Sequence, residues 1–261
     1  MLDTHCHLTF KHYADRVDDV LRDAAAAGVH GAITIATTST DCIEALALAK
    51  RHRNVWCSAG VHPLHADEPI DWDSLRNVGE HEKCVAWGEL GLDYYYDHPP
   101  RAKQHKALAE QLAFLQACTD EGLKKPIVVH CRESFDDLLA VFRETKFDPS
   151  RFVFHCFTAG PAEARKVLDF GAWISFTGVV TFHNAPEVGE AAKLVPIDRI
   201  MVETDAPFLS PEPVRKVRPN EPKYVVHIAN HIATLRGVNP HDFARQLDEN
   251  AERFFGIRIE A

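Results

Sequence analysis

Eight short β-prone runs separated by amphipathic stretches constrain this chain more tightly than any other feature of its sequence. The runs are Met1 to Cys6, Ala32 to Ala36, Val55 to Ala59, Cys84 to Gly88, Pro126 to His130, Phe152 to His155, Ala172 to Ser175 and Arg199 to Glu203. Helical periodicity between them is clearest over Ala14 to Ala27, Ser39 to Arg51, Arg101 to Glu121, Ser134 to Thr145 and Ala162 to Phe170. Two closing helices, Tyr224 to Arg236 and His241 to Phe255, are expected on either side of Gly237 to Pro240. Such alternation predicts a parallel sheet with helical crossovers, and eight units predict closure into a TIM-type (β/α)8 barrel of the α/β class. An open doubly wound sheet is the competing architecture. It usually carries a glycine-rich turn after its first strand, where this chain has Asp3-Thr4-His5-Cys6-His7. No linker, repeat or low-complexity segment interrupts the pattern, so residues 1–261 are expected to form a single domain.

Composition narrows the function. A formal charge of −9 argues against a protein that coats nucleic acid, because such proteins draw affinity from many cationic contacts to phosphate. An enzyme remains possible, since bound divalent cations can neutralise a few phosphates locally. The seven cysteines are scattered without close pairs, which reads as reduced thiols. Neither a signal segment nor a long apolar run is apparent, so the expectation is a cytoplasmic protein with no membrane partner and no obligate protein partner.

Histidine is the unusual count, at sixteen. A parallel barrel gathers its active site at the C-terminal ends of its strands, so polar residues that end an apolar run form a natural group. They are His5 and His7, Glu89, His130, His155 and Asp205. His5 and His7 are two apart on a strand, hence on one face about 7 Å apart along the chain. Any one of these histidines alone is more simply a hydrogen-bonded core residue. Four imidazoles and two carboxylates together would be a costly set of buried polar groups without a shared partner, and they suit a pair of metal ions with Glu89 as the bridge. Cys6, Cys131 and Cys156 adjoin these residues, but strand alternation sends them toward the helical layer as buried fillers rather than thiolate ligands.

The motifs Asp3-Thr4-His5-Cys6-His7-Leu8, Ala59-Gly60-Val61-His62-Pro63, Gly88-Glu89-Leu90-Gly91-Leu92-Asp93, His130-Cys131-Arg132-Glu133, His155-Cys156-Phe157 and Glu203-Thr204-Asp205-Ala206-Pro207 resemble, in this order, those of the TatD family of metal-dependent deoxyribonucleases. Asn220-Glu221-Pro222 and Glu249-Asn250-Ala251 extend the likeness toward the last helix. The resemblance implies a distorted TIM-type barrel, divalent metal, and phosphodiester hydrolysis in DNA, often from the 3′ end of single strands. It assigns His5, His7, Glu89, His130, His155 and Asp205 to metal, and brings His62 and Arg132 to the substrate phosphate. Leu64 stands where relatives often carry another histidine, with His65 one place later. That difference, like the basic segment Arg215-Lys216-Val217-Arg218-Pro219, touches substrate contacts and leaves the metal set intact.

Within that scheme Asp205 is the expected base and Glu203 the carboxylate that orients a ligating histidine through its second nitrogen, with an interior salt bridge as the plainer role for Glu203. Zinc, manganese and magnesium all remain open as the two divalent ions. Arg132 is expected either to face phosphate or to pair with Glu133 or Asp136. Arg215, Lys216, Arg218 and Lys223 either guide a strand or form a solvated charge run. Of Tyr94, Tyr95 and Tyr96, at least two are expected to be packed, any exposed ring being free to stack on an unpaired base. Lys103, His105, His81 and His98 are read as surface or helix residues. The same metals permit an alternative bond, an ester or amide such as an aminoacyl-tRNA or a cyclic amide. A non-catalytic metal scaffold is a third possibility.

Overall fold

The structure, a computed structural model, describes residues 1–259. Eight strands, β1 (Leu2–Cys6), β2 (Gly31–Thr34), β3 (Val55–Ala59), β4 (Cys84–Asp93), β5 (Ile127–Arg132), β6 (Phe152–Phe154), β7 (Trp173–Phe176) and β8 (Ile200–Val202), lie side by side in sequence order. Every neighbouring pair is parallel. Between them run α1 (Val17–Ala26), α2 (Ser39–Arg51), α3 (Trp72–Gly79), α4 (Arg101–Asp120), α5 (Phe135–Arg143), α6 (Pro161–Phe170) and α7 (Pro186–Leu194), with α8 (Val225–Arg236) and α9 (Pro240–Phe255) after the last strand. The sheet curls until Cys6 bridges Ala206, giving the nearly closed TIM-type barrel that the alternation predicts. Among the described residues no helix is long and apolar enough to cross a membrane.

The period of two divides the apolar residues between two layers. Val128, Val153 and Met201 join Leu2, Trp56 and Trp173 in one cluster, into which α9 inserts Ala251 and Phe255. Their neighbours Ile127, Val129, Phe152, Phe154, Ile200 and Val202 belong to the larger cluster that packs under the helices. Two strands break the period. In β1 the register shifts between Asp3 and Cys6. In β4 it shifts between Trp87 and Leu90, so both of these residues pack in the outer layer although they are three apart. Gly88 makes the second irregularity possible: its φ is +119°, and a Cβ there would lie 2.5 Å from the Val128 carbonyl oxygen. The strand then continues to Asp93, five residues past the expected end at Gly88.

Boundaries elsewhere follow local chemistry. Ser39 to Arg51 is the helix expected, with the Thr38 hydroxyl accepting from Asp41 N–H at 3.0 Å as its cap. The helix expected from Ala14 begins only at Val17, because residues 11–13 form a separate 3-10 turn. Two short helices, α3 and α7, were not singled out from periodicity; Asp71 caps the first through Ser74 N–H at 3.1 Å. The floor is tied by Asn250 on α9, whose amide donates to the Ile197 and Ile200 carbonyls at 2.8 and 2.9 Å. Asn250→Ala is therefore expected to lower stability by about 2 kcal/mol, since one buried and one part-buried acceptor lose their donor. A urea midpoint within experimental error of wild type would refute this anchoring role.

Candidate metal centre

The six residues grouped from strand ends converge at the C-terminal mouth of the barrel. His5 Nε2 lies 3.3 Å from His7 Nε2, 3.3 Å from Glu89 Oε2 and 3.7 Å from Asp205 Oδ1. His7 Nε2 is 3.3 Å from the same Asp205 oxygen. Across the cluster, Glu89 Oε1 is 2.7 Å from His130 Nδ1 and 2.5 Å from His155 Nε2, and these two nitrogens are 3.4 Å apart. Glu89 therefore turns one oxygen to each of two histidine pairs. Its place within β4 rather than at the end of the strand, set by the irregularity at Gly88, is what centres it.

Two donors held about 2.0–2.1 Å from a tetrahedral zinc ion are separated by about 3.4 Å. The His5–His7, His7–Asp205, His5–Glu89 and His130–His155 separations meet that requirement. Imidazole nitrogens facing one another at this range repel unless a cation or a proton lies between them, so the donor set fits divalent metal. Burial alone would raise the Glu89 carboxyl, but His155, His62 and His5 hold it well below the usual range. Burial likewise opposes ionisation of Asp205, and His7 and His5 outweigh it, leaving a lowered pKa.

The far sides of the His7 and His130 rings are hydrogen-bonded, whereas His5 Nδ1 is buried without a hydrogen-bond partner among the described residues. His7 Nδ1 sits 2.9 Å from the Ile35 carbonyl, an acceptor that keeps the proton on Nδ1 and leaves Nε2 free to ligate. His130 Nε2 is 2.9 Å from Asp93 Oδ2. Glu203 Oε1 stands 3.4 Å from His155 Nδ1 while accepting from Cys156 N–H at 2.6 Å, and Glu203 Oε2 accepts from Ser175 Oγ at 2.7 Å. His62 differs from the rest. Its Nδ1 accepts from Leu64 N–H at 3.0 Å, which puts the ring proton on Nε2, the atom 3.4 Å from Glu89 and 3.0 Å from His130. An N–H cannot ligate a metal, so this geometry makes His62 a hydrogen-bond donor at the cluster's edge.

A cavity of about 670 Å³ opens above the cluster. One wall carries Phe10, stacked on the His7 ring at 4.7 Å, and Phe208, an exposed ring 6.1 Å from Phe10. The other carries Tyr96 and Arg132. Arg132 lies 3.7 Å over the Tyr95 ring and 5.2 Å over that of Tyr96, and among the described residues neither Glu133 nor Asp136 forms an ion pair with it. Two expectations need correction here. Only Tyr94 of the three tyrosines is packed, its hydroxyl between His105 and Asp137, while Tyr95 and Tyr96 are exposed. Cys156 lies beyond the end of β6 with φ +45°, where strand alternation no longer applies, and it lines the cavity outside the apolar clusters; Cys6 and Cys131 join the outer apolar layers, although Cys131 also reaches the cavity lining. Lys223 is held by Glu221 and Asp23 at 2.6 and 3.2 Å, and Arg215 packs on Phe182.

The TatD-related DNase family is the one whose sequence model matches, over residues 2–256. This chain belongs to that family. It is 39% identical over 260 residues to a protein of Escherichia coli K12 named as the uncharacterized metal-dependent hydrolase YcfH, covering 98% of this chain and 96% of the relative. It is 34% identical over 267 residues to the 3′-5′ ssDNA/RNA exonuclease TatD of Erwinia amylovora, covering 98% of this chain and 100% of that one. Among solved structures, the TatD homolog YJJV from Escherichia coli K12 superposes with a TM-score of 0.90 at 27% identity, covering 99% and 98% of the two chains. The chain is accordingly a metal-dependent hydrolase of the TatD family.

Residues without an expected role complete this TatD-family site. Asp93 shares a face of β4 with Glu89 four residues earlier, and its Oδ1 also accepts from Tyr95 N–H at 3.0 Å, so one carboxylate orients His130 and sets the tyrosine turn. Gln104 and Gln111 on α4 are buried and clasp main chain with both ends of their amides. Gln104 accepts from Asp93 N–H and donates to the Asp93 carbonyl, each at 2.8 Å; Gln111 does the same to Val61 at 2.8 and 2.9 Å. Their spacing of seven on one helical face was the signal available in the sequence. Asp93→Asn is expected to fold normally and bind metal about 10–100-fold more weakly, because His130 loses a charged partner. Chelator competition giving wild-type metal affinity would overturn that role.

Proposed function

We propose that this chain is a two-metal 3′-5′ exonuclease acting on single-stranded DNA. The observation that carries the reading is the aromatic lining on both sides of the ligand cluster, Phe10 with Phe208 on one side and Tyr96 beside Arg132 on the other. Unpaired bases stack on such rings, whereas a duplex keeps its bases to itself. The exonuclease named among the relatives supports the same substrate. Seven free thiols suit the reducing cytoplasm, where we place the enzyme.

His5, His7, Asp205 and Glu89 would hold one ion, and Glu89, His130 and His155 the other. Divalent ions so held supply a water of lowered pKa and offset negative charge on the phosphate and the leaving oxygen. Asp205 Oδ1 faces His5 and His7, so Oδ2 is the oxygen left to accept the proton of the attacking water. Its side chain is 14% exposed against 2% for Glu89, which fits a base open to the cavity. His62 donates Nε2–H, and the Arg132 guanidinium, steadied by Tyr95, offers its fork to a phosphate oxygen. Glu203 holds His155 in orientation.

The test is a 5′-labelled single strand incubated with protein and each of zinc, manganese and magnesium. Wild type should shorten it stepwise, faster than the matching duplex, and a chelator should stop the reaction. Asp205→Asn should keep the fold while kcat falls about 10²–10⁴-fold, the usual share of a general base. Undiminished turnover in that variant, or inertness toward the strand with every ion, would defeat the proposal.

A further inference from the structure

The segments that precede the strands form the end of the barrel opposite the metal centre, and they concentrate positive charge. Two open clefts of about 560 and 520 Å³ meet there along a shared wall of Lys124, Lys125 and Pro126. Arg53 and Arg258 add to the first cleft, and Arg151, Arg199 and Arg253 to the second, whereas Glu82 and Asp198 are the only acids in the two linings. Seven cations against two acids is the reverse of a chain whose formal charge is −9.

Capping of the barrel floor accounts for part of this. Lys125 Nζ donates to the Cys84 carbonyl at 2.6 Å, Arg151 to the Lys125 carbonyl at 2.7 Å, Arg199 to the Gly171 carbonyl at 2.9 Å and Arg253 to the Asp198 carbonyl at 2.7 Å. A neutral amide would cap as well, as Asn250 does for Ile197 and Ile200 on the same floor. A carbonyl satisfies one N–H and leaves the net charge in place. Among the described residues no carboxylate comes within ion-pair distance of Lys124, Lys125, Arg151, Arg199 or Arg253. Burial even draws the Arg151 guanidinium below its usual pKa, with Asp148 only partly offsetting it. Arg199 and Arg253 both lie over the Trp173 ring, at 5.5 and 5.0 Å, which fixes their positions. Lys124, Lys125, Arg151, Arg199 and Arg253 thus have no carboxylate within ion-pair distance among the described residues, and they follow a continuous path instead of surrounding one point.

We propose that this face is a second binding surface, remote from the metal centre, for the phosphate backbone of single-stranded nucleic acid. The path of two joined clefts suits a polyanion, and cations without acidic partners suit phosphodiesters, which have no protons to lose. The reading of the chain as a nuclease supplies only the choice of nucleic acid over other polyanions. The surface would retain a strand whose end occupies the mouth.

The experiment uses metal-loaded protein and a fluorescein-labelled oligothymidylate whose 3′ end is blocked with phosphorothioates, titrated by anisotropy across salt concentrations. A Lys124→Gln/Arg199→Gln/Arg253→Gln variant keeps donors for the carbonyls and removes three charges. It should bind at least about tenfold more weakly at low salt, with the slope of log affinity against log salt reduced by about 2, at roughly 0.7 per phosphate contact. Its hydrolysis of dithymidine dinucleotide, too short to reach this face, should match wild type. If wild type leaves the dinucleotide intact, the nuclease reading fails while the binding result still stands or falls alone. Should the triple variant lose its thermal transition, Lys124→Gln/Arg258→Gln, two exposed residues whose side chains bond no main-chain group among the described residues, should lower the slope by about 1.4. Unchanged affinity and slope in the folded variants would overturn the proposal. So would inorganic polyphosphate binding in place of the oligonucleotide.

Discussion

The first and last strands meet through a few main-chain bonds. Asp205 N–H donates to the His5 carbonyl at 2.9 Å and His7 N–H to the Ala206 carbonyl at 2.7 Å. Just below them, the Asp3 carboxylate takes Thr204 N–H at 2.9 Å, and Thr4 Oγ1 reaches the Val202 carbonyl at 3.0 Å. Residues some two hundred positions apart are joined here. Three of the six clustered donors, His5, His7 and Asp205, sit on this seam. Closing the barrel and assembling half the metal centre are therefore the same event, and a chain that failed to close would have no site.

Electrostatics explain why that seam needs support from around it. The mouth gathers Glu89, Asp93, Glu203 and Asp205 among imidazoles, all substantially buried, and carboxylates in such a setting resist ionisation unless hydrogen bonds and opposite charge compensate. Each has such compensation: Asp93 from His130 and the Tyr95 amide, Glu203 from His155, Ser175 and the Cys156 amide. These outer contacts hold the rings with the correct nitrogen inward, a condition that the residues nearest the cavity cannot impose on themselves.

How much of this could be read from the sequence depended on whether a strand kept its period. On β5 and β6 the alternation is regular, and counting from Val128 or Val153 places His130 or His155 inside. On β1 and β4 register shifts defeat counting, so Glu89 was found because it is a carboxylate after an apolar run, with no geometric means of showing that it lies mid-strand and central. Cys156 escaped for the opposite reason, a left-handed residue just past a strand whose alternation had been extended one step too far. The exposure of Tyr95 and Tyr96 depends on Asp93 and Arg132, long-range partners that no local pattern reveals. Gln104 and Gln111 were hidden because two glutamines on a helix look like surface until something is known to need their amides.

Those two glutamines carry a consequence for how this chain can change. Gln104 grips the strand end that orients His130, and Gln111 grips the segment just before His62, so one helix spans both sides of the mouth. Seven residues of α-helix make two turns and about 10.5 Å. Inserting or deleting a single residue between them would swing one amide by about 100° and away from its partner. A surface helix is ordinarily free to vary in length at little cost, but this one works as a gauge: the distance between two parts of the mouth is stored as a number of residues.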